Sequence, residues 1–84
     1  MARTGMPKEL KDYELVWLRE VGMRVRLARV RRRLTQREAA AAAGISAVTF
    51  SSVERADHVA GVLSYIWIAR ALELSLSELL DGAL

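Results

Sequence analysis

The 84-residue chain has no cysteine, one histidine and one proline. Without cysteine there is no disulfide, no thiolate zinc site and no cysteine nucleophile. With His58 as the single imidazole, neither a histidine metal cluster nor a histidine-based catalytic triad can be assembled. Apolar runs stay well short of the ~20 residues that a membrane-spanning helix needs, and no signal-peptide core opens the chain. Strict apolar–polar alternation is also missing over any useful length, which excludes a sheet. These absences predict a soluble, cytoplasmic chain that binds a partner and is not an enzyme, with no metal and no cofactor.

What is present suits one small domain. Apolar residues make up 52% of the chain, enough for a packed core. A chain of this length buries roughly 65% of the surface its unfolded form exposes. The net charge of +3 hides a strong asymmetry. Residues 1–23 carry equal numbers of acids and bases, and residues 38–84 are acidic. Between them lie Arg24, Arg26, Arg29, Arg31, Arg32, Arg33 and Arg37 with no acid at all. So compact a basic stretch predicts a polyanionic partner. The competing reading is a solvated helix face, and Arg31, Arg32 and Arg33 also suit a helix C-terminus through its dipole.

Helical spacing dominates the rest. Residues 1–11, with Gly5 and Pro7, read as a flexible tail. Asp12 is a plausible N-cap for an N-terminal helical extension over residues 12–20. Leu15, Leu18, Val21, Val25 and Ala28 continue at spacings of three and four. Gly22 interrupts this run, which predicts a break or bend between the extension and a helix from Val21 to Arg33. Thr35 and Glu38 form a capping box ahead of the alanines Ala39–Ala43, and Gly44 ends that helix. Ser46 opens a helix over Ala47–Arg55, a loop follows over Ala56–Gly61, and Val62–Leu72 is helical again. Ser75 and Glu78 form a second capping box for a short final helix through Leu80 or Asp81. The chain is therefore all-α, with residues 21–84 as its main domain.

Two short helices joined at Gly44 can cross steeply only where their contact side chain is small, and Ala40 supplies that. Ala43, Ile45, Phe50 and Val53 then fall where the pair buries apolar groups, while Ala47, Val48, Thr49, Ser51 and Ser52 are free to face outward. This is the helix-turn-helix pattern. The blocks Val21-Gly22-Met23-Arg24-Val25-Arg26, Leu34-Thr35-Gln36, Gly44-Ile45-Ser46, Val53-Glu54-Arg55 and Ala69-Arg70-Ala71-Leu72 resemble the Cro/C1-type (XRE-like) helix-turn-helix family. The resemblance covers about residues 20–80, including the closing Leu74–Leu80.

That resemblance implies a compact five-helix, lambda-repressor-like domain, bacterial or phage-encoded, that regulates transcription as a homodimer on palindromic double-stranded DNA. It implies base-facing roles for Ala47, Val48, Thr49, Ser51 and Ser52. Phosphate contacts would come from Gln36 at a helix N-terminus, from Arg37 and Arg55, and from Arg24, Arg26, Arg31, Arg32 and Arg33. Arg29 and Glu54 match an internal salt bridge between the first and third helices. His58 could touch a phosphate from its loop.

The chain also departs from the family pattern. Ala56 and Glu73 replace capping glycines, so the turn at Ala56 is expected to use another conformation. Ala60-Gly61 replaces a stronger helix start. Ala39 replaces a larger core residue, leaving volume for Phe50 or Trp17 to fill. No Arg, Lys, Asn or Gln lies between Ala47 and Val53, so the bidentate base contacts that normally carry direct readout are missing. A protein-interaction module on the same fold, antitoxin-like or like a restriction-modification controller, is the alternative function. Leu63 and Trp67, one turn apart, are expected to face outward and to form a dimer interface with Trp17 and the Tyr13–Leu18 segment.

Overall fold

The computed structural model describes residues 10–57 and 59–81, and among these every regular element is a helix. Of the tail expected over residues 1–11, only Leu10 and Lys11 lie among the described residues; His58 lies outside them.

The first helix, α1, runs unbroken from Asp12 to Arg31. Lys11, not Asp12, is its N-cap, and the Glu14 carboxylate accepts from the Lys11 N–H at 2.9 Å. The expected interruption at Gly22 does not occur. Gly22 is buried, and a Cβ there would lie 2.6 Å from the carbonyl oxygens of both Val53 and Glu54. Glycine stands in α1 because another helix crosses at backbone distance. Its cost of about 1 kcal/mol against alanine is not enough to break the helix.

Four shorter helices follow: α2 (Gln36–Ala43), α3 (Ala47–Arg55), α4 (Val62–Ala71) and α5 (Leu76–Leu80). Their starts are where the capping residues lie. Thr35 Oγ1 accepts from Glu38 N–H at 3.0 Å while the Glu38 carboxylate accepts from Thr35 N–H at 2.8 Å. Ser75 and Glu78 repeat the box at 2.9 and 2.8 Å. Ser46 Oγ caps α3 through Thr49 N–H. The N-cap of α4 is Gly61, which has no side chain to offer, as the replaced helix start predicts.

The helices α1 and α2 both pack on α3, α4 covers α2, and α5 closes the bundle against α1 and α4. Val25, Phe50, Ile68, Leu72 and Leu79 are fully buried at the centre. Ala39 is fully buried beside them in the same cluster, and Trp17 packs on its periphery. Phe50 is the largest of the fully buried side chains.

The orientation of α4 differs from expectation. Its inner side is Ile68, Ala69 and Leu72 with half-buried Tyr65, a spacing of three and four. Trp67 therefore sits at the edge of that side and packs against the core, not in open solvent. Val62 and Ile66 join Leu63 on the outer side.

Three helix ends use left-handed backbone without glycine: Arg33 (φ 59°), Ala56 (φ 55°) and Glu73 (φ 58°). The turn at Ala56 thus keeps the left-handed conformation and does not find another. A side chain there meets the following carbonyl oxygen, a strain of roughly 1–2 kcal/mol per residue that glycine avoids. Ala56→Gly and Glu73→Gly are each expected to stabilise the domain by about 1 kcal/mol, or about 4–8 °C in melting temperature. Thermal denaturation followed by circular dichroism measures this, and unchanged midpoints would show that the strain is relieved elsewhere.

Candidate nucleic-acid interface

The turn between α2 and α3 sets the geometry. Gly44 adopts φ 76°, and Ile45 N–H donates back to Ala40 O at 3.0 Å, closing α2. Ala40 is 2% exposed, so the small residue lies at the helix crossing as its position requires.

The second helix of the pair is fastened from below. Arg29 Nε and Nη2 donate to the two carboxylate oxygens of Glu54 at 2.6 and 3.2 Å, and Nη1 donates to Leu34 O at 2.8 Å. The side chains are only 14% and 4% exposed, which makes this a largely desolvated, bidentate pair. Gln36 Nε2 adds a third donor to Glu54 at 2.8 Å. The end of α1, the start of α2 and the end of α3 therefore meet on one carboxylate. This amide has two N–H donors, and the bond to Glu54 orients it while leaving the second at the start of α2.

On α3, Val48, Ser51 and Arg55 share the outer side, with Val48 76% exposed, and Ala47 stands at its edge, half-buried against the core. Thr49 lies beside them, its hydroxyl accepting from Ser46 Oγ at 2.9 Å. Ser52 departs from the expected base-facing set. It is 5% exposed, and Asp57 N–H donates to its carbonyl as the chain folds back after Ala56. So short a side chain does not reach past its neighbours into a groove. Arg55, half exposed, is held by Asp57 through Nε at 2.8 Å and by Ser51 Oγ through Nη1 at 2.5 Å. Asp57 was not singled out by sequence reasoning; its position two residues after an arginine on the outer side of α3 was the available signal.

The expected phosphate contacts do not all share this face. Arg32 is engaged within the chain at its surface: Nε donates to Leu72 O at 2.8 Å and Nη2 lies 3.3 Å from Glu73, tying α1 to the end of α4. Arg24 Nη1 reaches Leu79 O at 3.4 Å and pairs with Glu20 at 3.7 Å. At about 100° per residue, Arg24 and Arg31 lie on the side of α1 away from Gly22 and Arg29, which face α3. Both line a groove with Leu27, Ala28, Leu74 and Glu78. The seven arginines all fall within residues 24–37 of the sequence, but helical geometry divides them between two faces. Arg26 stays on the flank nearer α3, and Arg33 and Arg37 are exposed around the α1–α2 turn. Among the described residues no three acids or histidines gather as a metal site, and no helix is long and apolar enough to cross a membrane.

A steep pair of short helices, glycine-turned, with the second helix exposed along one side, defines a helix-turn-helix domain. Residues 20–80 match the helix-turn-helix domain family model, and the chain belongs to that family. Its fold is that of Cro/C1-type regulators of known structure. The restriction-modification controller protein C.AhdI from Aeromonas hydrophila is 27% identical with a TM-score of 0.71, over 74% of this chain and 94% of that one. The P22 c2 repressor, solved in complex with a synthetic operator, is 27% identical with a TM-score of 0.68 over the same shares. A hypothetical transcription factor from Neisseria matches 93% of this chain and 88% of its own at 28% identity, TM-score 0.74. A comparison with curated protein sequences gave no match.

Proposed function

We propose that this protein is a DNA-binding transcriptional regulator, acting as a repressor, that places α3 in the major groove and binds a two-fold symmetric operator as a homodimer. The observation that carries the reading is the fixed outward side of α3. Val48 and Ala47 offer methyl contacts for thymine, and Ser51 and Thr49 offer hydroxyls. Gln36 and Arg37 stand at the start of α2, where free amides and the helix dipole favour a phosphate. Arg26, Arg33 and Arg55 supply further phosphate contacts. Without a bidentate base contact on α3, affinity leans on the backbone term and on a second copy of the reading head. The apolar outer side of α4, with Leu63 at 54%, Val62 at 67% and Ile66 at 39% exposure, offers that second copy a contact. Trp17 and Trp67 pack against the edge of the core and are half-buried there.

Titration of labelled duplex at several salt concentrations tests the reading. Log affinity is expected to fall linearly with log salt, at about 0.9 per phosphate contacted. Binding that ignores salt, or none tighter than about 10⁻⁵ M, would overturn it. Asp57→Ala removes the acid that competes with phosphate for Arg55, so that variant is expected to bind several-fold more tightly at low salt. A Leu63→Glu/Ile66→Glu variant is expected to sediment as a monomer where the wild type is a dimer.

The likeness to C.AhdI supports a second, compatible reading as a controller-like regulator of a neighbouring gene pair. A restriction or toxin gene beside this one, with operator sites at its promoter, separates that role from general repression.

A further inference from the structure

Helix α1 is apolar on two sides. The inner one, around Val21, Gly22 and Val25, is buried. On the outer one, Val16 (54%), Met23 (51%), Leu27 (46%) and Val30 (54%) are all about half exposed. Their intervals of seven, four and three place them on one stripe, about 80–140° around the helix from Gly22. Scattered exposed apolar residues need no explanation, but four in a row at this spacing over about 21 Å form the seam of a helix–helix contact.

The edges of the stripe name the partner. Arg19 and Arg26 lie along one edge and Arg24 and Arg31 along the other, each pair seven residues apart. Glu20 is the one acid of α1 between them, and Arg24 already pairs with it, while Glu78 of α5 lines the groove beside Arg24 and Arg31. A second copy of α1, in either direction, would set arginine-lined edges against arginine-lined edges, which is repulsive. An anionic membrane surface calls for a broad apolar face, whereas this row is a single seam. We propose that the outer stripe of α1 is a docking surface for an acidic amphipathic helix of another protein. Apolar residues of that helix pack on Met23 and Leu27, and its flanking carboxylates meet Arg19 and Arg31, neither of which is among the proposed phosphate contacts. The stripe is turned away from α3, so the partner and a duplex bind together. This surface does not depend on the α4 contact or on the DNA reading.

The test uses the full chain and a fluorescein-labelled 21-residue helical peptide with leucine along one heptad seam and glutamate on both flanks. Fluorescence anisotropy reads its binding. Matched peptides carry lysine for the glutamates, or alanine for the leucines. The glutamate–leucine peptide is expected to bind at least tenfold more tightly than either control. Met23→Gln/Leu27→Gln is expected to weaken it at least tenfold with an unchanged melting temperature. Arg19→Glu/Arg31→Glu is expected to reverse the preference towards the lysine peptide. A saturating duplex is expected to leave peptide affinity unchanged. Equal binding of all three peptides, or no effect of the seam variant, would overturn the proposal. It would equally be overturned if the seam variant abolished self-association in sedimentation, making a second copy the occupant, or if the chain bound phosphatidylglycerol vesicles through this stripe while ignoring the peptide.

Discussion

Gly22→Ala is expected to destabilise the domain by about 2 kcal/mol or more, although alanine is the better helix former. On an isolated helix the change would gain about 1 kcal/mol. Here the new methyl would sit 2.6 Å from the carbonyl oxygens of Val53 and Glu54, so two helices must separate along their closest line. Overpacking costs about 1–3 kcal/mol where a side chain can yield, and a backbone carbonyl yields less. The melting temperature is expected to fall by roughly 10 °C. Gly61→Ser is the control, since nothing lies within 4 Å of a Cβ there, and its midpoint is expected to stay the same or rise slightly. A Gly22→Ala variant as stable as the wild type would show that α1 and α3 separate without penalty. Because α3 is the helix displaced, DNA binding is expected to weaken along with stability.

Glu54→Ala is expected to be as damaging as truncating a fully buried core side chain. Its carboxylate receives Arg29 twice and Gln36 once while nearly sealed from water. Removing one partner of a buried pair strands the other and costs about 3–5 kcal/mol. That approaches the whole stability of many small domains, about 5–15 kcal/mol. Glu73→Ala is the comparison. Glu73 also pairs with an arginine, Arg32, but its side chain is 74% exposed, and such pairs contribute about 0–1 kcal/mol. Urea denaturation of both variants checks the contrast, and equal midpoints would remove the Arg29–Glu54 pair from the framework. The loss at Glu54 is also expected to free Gln36 and tilt α3, lowering duplex affinity beyond what instability alone explains.

The two glutamates illustrate how much could be read from residue order. Both were legible as acids near arginines, but spacing alone could not say which would be enclosed. Helix starts were legible because capping is local: Thr35 with Glu38, Ser46 and Ser75 with Glu78 act within one turn of their own helices. The Gly44 turn and the burial of Ala40 were legible for the same reason. Gly22 was misleading because the same residue marks a helix break and a close crossing, and only the crossing chain distinguishes them. Ser52 and Trp67 went wrong by a fraction of a helical turn. A shift of that size moves a side chain between core and solvent, and it depends on which way the neighbouring helix packs.

By itself, the order of residues determined that this protein is all-α, where its four shorter helices begin, and that its second and third helices form a glycine-turned pair, because each rests on contacts within a few residues. The tertiary structure alone decided which arginines are available. Seven arginines within residues 24–37 look like one patch along the chain, yet Arg29 is enclosed with Glu54, Arg32 is bound to Leu72, and Arg24 and Arg31 are carried to the far side of α1. A helix turns its neighbours about 100° apart, so a cluster in sequence is divided among faces, and the fold then assigns each face to a core, a duplex or a partner.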